Sequence, residues 1–128
     1  MLNRILASTV VLACFALPLA AQGYPAAPAA NPDEVTITGQ VIDINCHTTM
    51  GASGPTHKVC AQACAKAGVA LAILGSDGII YMPVSAKQAD PQNSRLIDFA
   101  ESKVKVTGVH KLVSGLHTIQ IKTIAAAT

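Results

Sequence analysis

From Val35 the sequence VTITGQVIDIN alternates apolar and polar positions, with Val35, Ile37 and Val41 on one parity and Ile42 and Ile44 on the other. Alternation of period two marks a strand. The change of parity near Gly39 predicts a long strand that switches its inward face about a glycine or bulge. Two apolar runs, VALAIL (69–74) and IIYMPV (79–84), flank Gly75-Ser76-Asp77-Gly78 and predict a hairpin. Leu96, Ile97 and Phe99 follow Pro91 and predict a short helix or helical turn over 92–100. The last two runs, KVKVTGVH (103–110) and LHTIQIKTI (116–124), alternate on either side of Ser114-Gly115 and predict a closing hairpin.

Between the first and second predicted strands lies CHTTMGASGPTHKVCAQAC, residues 46–64. A helix beginning near Thr56 puts His57, Cys60 and Cys64 at i, i+3 and i+7, which share one face at 3.6 residues per turn. Cys46 and His47 are expected at the end of the first strand, folded over that face by a Gly/Ser/Pro loop that also carries Met50. The expected fold class is all-β with little helix, in the order strand, inserted helix, strand, strand, short helix, strand, strand. Without the insertion this is the order of a five-stranded oligonucleotide/oligosaccharide-binding (OB) barrel, here over 34–126. A strand ending in Cys46-His47, then HKVCAQAC (57–64) and an apolar strand, resembles a group of small secreted bacterial proteins of OB-like type. The resemblance implies a fold and a compartment and supplies no activity.

The N-terminus begins with Arg4 and an apolar stretch, ILASTVVLACFALPLA, broken by Pro18 and ending in small residues. It is too short to span a bilayer and has the form of a secretory signal peptide over 1–21. Val11-Leu12-Ala13-Cys14 also resembles a bacterial lipobox, so the alternative is a lipoprotein anchored at Cys14. Residues 22–33 are Ala/Pro-rich without periodicity and are expected to form a disordered tether. Both readings put the mature domain outside the cytoplasm, periplasmic or secreted.

Loss of Arg4 with the leader leaves eight Lys/Arg against seven Asp/Glu, so charge nominates neither nucleic acid nor an anionic membrane as a partner. Beyond the leader the aromatics are Tyr24, Tyr81 and Phe99, too few for a base-stacking platform.

Three cysteines in an exported domain leave two readings open. One is a disulfide from Cys46 to Cys60 or Cys64 with one thiol spare, in a stapled module that binds a small ligand or a partner protein. The other is a metal site of Cys46, Cys60, Cys64 and His57, with His47 or Met50 auxiliary. Thiolates and imidazole suit zinc or Cu(I), and a thioether would serve only Cu(I). Such a protein would sequester the ion or pass it to a partner protein. His110 and His117 flank the closing turn diagonally on one sheet face, as rim residues of the barrel or as ligands of a further ion. Asp43, Asp98 and Glu101 stand as isolated acids. With no carboxylate pair, Ser/His/Asp order or phosphate loop, no enzyme is expected.

Overall fold

A computed structural model describes residues 33–128. The expected leader, with Cys14, and the expected tether up to residue 32 lie outside the described residues. The described chain is mostly β, five strands with short helices, as the alternation predicts. Strand β1 (Glu34–Asp43) runs into helix α1 (Ile44–Met50), and a 3-10 turn (Pro55–His57) leads into helix α2 (Lys58–Lys66). Then come β2 (Leu71–Gly75), β3 (Ile80–Pro83), α3 (Asn93–Leu96), a second 3-10 turn (Ile97–Phe99), β4 (Lys103–Val113) and β5 (Leu116–Ala126).

The strands close into a barrel in the order β1-β2-β3-β5-β4. Closure rests on β1, whose first part pairs with β4 (Glu34↔Val109 to Gln40↔Lys103) and whose last part pairs with β2 (Gly39↔Gly75 to Asp43↔Leu71). At the overlap β2 passes so close to β1 that a Cβ on Gly39 would collide with the Leu74 carbonyl. Gly39 is therefore a point of close approach rather than a bulge. The register shift lies in the β4–β5 pairing, between Thr107 and Gly108 of β4.

The parity switch expected in β1 is not what the strand does. Ile37 and Val41, both odd, belong to the barrel core with Leu71, Ile73, Tyr81, Val104, Val106, Ile119 and Ile121. Ile42 and Asp43 are buried as well, at 0 % exposure, because the end of β1 is covered on both faces. That double burial, which alternation alone cannot distinguish from a change of face, leads into the segment that carries Cys46.

Helix α3 completes the core with Leu96 and anchors the Cys-bearing helix through Asn93. The Asn93 amide donates to the Ala65 carbonyl (3.0 Å) and the Val69 carbonyl (2.7 Å), and its oxygen accepts from the Leu71 amide (3.0 Å). One side chain thus satisfies carbonyls at and beyond the α2 C-terminus and fixes the entry into β2. At its other flank α2 is held by Gln62 Nε2, which donates to the Ile97 carbonyl at 3.1 Å.

Candidate metal centre

Cys46 and His47 do not sit on a strand, as the alternation through Ile44 suggested, but in helix α1. Asp43 ends β1 in an extended conformation and its Oδ1 accepts from the Cys46 amide at 3.0 Å, an N-cap three residues ahead of the cysteine. At the far end Gly51 takes φ 66°, the left-handed conformation that glycine adopts freely, and its amide caps the Cys46 and His47 carbonyls. In α2, Ala61 and Ala65 turn into the protein. Cys60 and Cys64 precede them by one position each, so the cysteines lie at the edge of the buried stripe: Cys60 exposed, Cys64 half-buried.

These two helices bring the donors together. In one trio the ligand atoms of Cys46, His57 and Cys60 all lie within 4.8 Å of one another, and in a second those of Asp43, Cys46 and Cys64 do the same. Among the described residues the three cysteines, Cys46, Cys60 and Cys64, are free thiols, and Cys46 belongs to both trios. Of the remaining expected ligands, His47 falls in neither trio and Met50 is 70 % exposed.

His57 is positioned by a residue to which sequence gave no role. Glu101 stands in the turn before β4, its amide donating to the Val41 carbonyl at 2.8 Å, with φ 59°, an uncommon value for a residue with a side chain. Its side chain is fully buried. Glu101 Oε1 lies 3.0 Å from His57 Nδ1, and Oε2 accepts from the Gly54 amide and from Gln40 Nε2, both at 2.8 Å. The carboxylate therefore ties β1, the 51–54 loop and His57 to one point. With Nδ1 donating to Glu101, the neutral ring presents Nε2 as its lone pair. His57 Nε2 is buried and has no hydrogen-bond partner. A carboxylate behind the ring and an unpartnered nitrogen in front is the arrangement of a metal-ligating histidine.

Among the described residues, two other buried side-chain atoms lack partners, Asp43 Oδ2 and His47 Nδ1. Burial pushes the Asp43 carboxyl up, but the Cys46 amide, the thiols of Cys64 and Cys46 and the Asn45 amide together hold it below its ordinary value. The thiols move the other way. The Asp43 carboxylate, then burial and further negative charge, push Cys64 up to about 12, while burial, followed by the Asp43 charge, raises Cys46. Without a cation these two thiols stay protonated at neutral pH, and a metal must displace their protons, so affinity should increase with pH.

No family model, curated protein or solved structure matches the chain. Its function is argued from the site itself.

His110 and His117 form a separate feature. Leu112 pairs with His117 across the β4–β5 hairpin, which sets the two histidines diagonally as expected, and His110 Nε2 lies 3.0 Å from His117 Nδ1. Tyr81 meets both rings edge-on, and its hydroxyl donates to Asp77 Oδ2 at 2.7 Å. The His110 amide bonds to the Asp33 carbonyl at the start of β1, whereas the cysteine centre follows its end. The pair therefore lies away from the cysteines along the barrel.

Burial, and then the Asp77 hydrogen bond, raise the Tyr81 hydroxyl to about 12. In the unfolded chain a thiol ionises near 9.0 and a tyrosine near 10.0. The unfolded state thus releases these protons at lower pH than the folded state does. The stability that Cys64 and Tyr81 contribute is present below about pH 9 and should be lost as pH rises towards 12. The urea midpoint of the metal-free reduced protein should fall over that range, and Tyr81→Phe should remove the tyrosine part of the fall.

Proposed function

We propose that this is an exported, OB-like domain that binds a soft or borderline transition metal ion through Cys46, His57, Cys60 and Cys64. The single observation that carries this reading is His57. Its Nδ1 is fixed by the buried Glu101, while its Nε2 is buried without a partner, in a residue grouped with two free thiols. An unpartnered buried nitrogen costs about 1–3 kcal/mol, and a metal ion removes that cost.

Zinc and Cu(I) both accept thiolate and imidazole. The exposure of Met50 takes the thioether out of the set, and the Asp43 carboxylate supplies a hard oxygen donor, so zinc is the better match. Exposed Cys60 gives the ion a route to solvent, which suits sequestration or handover to a partner protein better than a closed structural site. The signal-like N-terminus supports export, and the strand order supports the OB-like reading. Binding rather than catalysis is the role proposed.

A second reading has its own support, since the sulfurs of Cys60 and of Cys64 each lie within 4.8 Å of that of Cys46. Either pair, joined, would make a disulfide-stapled binding module. Thiol counting together with elemental analysis of protein purified from its native compartment separates the two. Bound zinc or copper and free titratable Cys46, Cys60 and Cys64 after its removal support the metal reading. One free thiol with a mapped Cys46 disulfide and no metal would refute it.

A further inference from the structure

We propose that the centre is dinuclear, with one ion between Cys46, His57 and Cys60, a second between Cys46, Cys64 and Asp43, and the Cys46 thiolate bridging the two. This rests on the metal-binding reading above and assigns Cys64, with Asp43, to a second ion. Both donor sets are mutually close, within 4.8 Å, and they share only Cys46. Each set also holds one buried polar atom without a partner, His57 Nε2 in the first and Asp43 Oδ2 in the second. One ion taken by the first trio satisfies the nitrogen and leaves the Asp43 oxygen, on a residue that is 0 % exposed, with the Cys64 thiol as its neighbour. Two ions satisfy both.

Charge points the same way. The thiolates of Cys46, Cys60 and Cys64 and the carboxylates of Asp43 and the buried Glu101 carry five negative charges when all are ionised. Two divalent cations leave one of those charges uncompensated, and one cation leaves three. An uncompensated charge at a buried position is costly. As each thiol ligates, its proton passes to solvent and no oxidant or reductant takes part.

The test uses the reduced full chain in a Cys14→Ser background, titrated with cadmium(II) as a zinc surrogate and followed by native mass spectrometry and cadmium-113 NMR. Two cadmium ions per chain are expected, with two resonances coupled through the shared sulfur. Cys64→Ser and Asp43→Asn should each reduce the count to one and keep the resonance of the His57 trio. Asparagine retains the N-cap of α1, so the second variant guards against misfolding in the first. Saturation at one cadmium, with that ion retained in both variants, would overturn the second position and leave the first intact. No bound cadmium in the unsubstituted trios would overturn both.

Discussion

Glu101→Ala is expected to cost about 3–5 kcal/mol of stability, the range for breaking a buried charged network, and to weaken metal binding 10- to 100-fold. The reason is geometric. One carboxylate accepts from His57, the Gly54 amide and Gln40, donors drawn from β1 and from the turn that carries His57. Removing it strands buried donors and lets the His57 ring turn, so both tautomers become available and Nε2 is no longer aimed. Urea unfolding of the metal-free protein measures the first effect. Nitrogen-15 chemical shifts of His57 measure the second, and they should move from a single tautomer towards a mixture. Glu101→Gln, which keeps an acceptor but not the charge, should recover part of the stability. A loss below about 1 kcal/mol with an unchanged His57 tautomer would show that Glu101 does not organise the site.

Cys46→Ser is expected to abolish metal-dependent stabilisation, since Cys46 is the one donor common to both trios. A ligand that binds only the native state adds about 2.7 kcal/mol at a hundredfold excess over Kd. For a domain of this size that corresponds to a rise in Tm of roughly 10–20 °C. The donors come from α1, the turn before α2, and α2 itself, so the ion closes a loop that is otherwise held by Glu101 and the Asn93 staple. Thermal unfolding with and without zinc should show the full rise in the wild type and none in Cys46→Ser. His117→Ala, at the separate hairpin site, should keep it. An equal rise in Cys46→Ser would place the ion elsewhere.

Much of this architecture is written locally in the chain. Alternation in 103–110 and 116–124 about Ser114-Gly115 gives the β4–β5 hairpin and the Leu112–His117 pairing, because a tight turn fixes register. The face shared by Cys60 and Cys64 follows from helical spacing. Helix α1 was hidden because Ile42 and Ile44 continue a strand-like alternation, yet only Ile42 belongs to the strand. Asp43 three residues before Cys46 was the readable sign, a capping side chain that a search for strand ends passes over. Glu101 was legible only as an isolated acid, without a role. It is 44 residues from His57 along the chain, and only the pairing of the β4 entry with Val41 of β1 brings it to the site. Its contribution is tertiary, and no local pattern encodes it.

Competition against a chromophoric zinc chelator decides whether the Cys/His centre takes a transition metal ion. The reduced, metal-free protein should withdraw zinc from the chelator, more strongly at pH 8 than at pH 6, while a Cys46→Ser/Cys60→Ser variant should not. If zinc and Cu(I) both stay on their chelators while Cys46, Cys60 and Cys64 titrate as free thiols in a folded wild type, the Cys/His centre does not bind a transition metal.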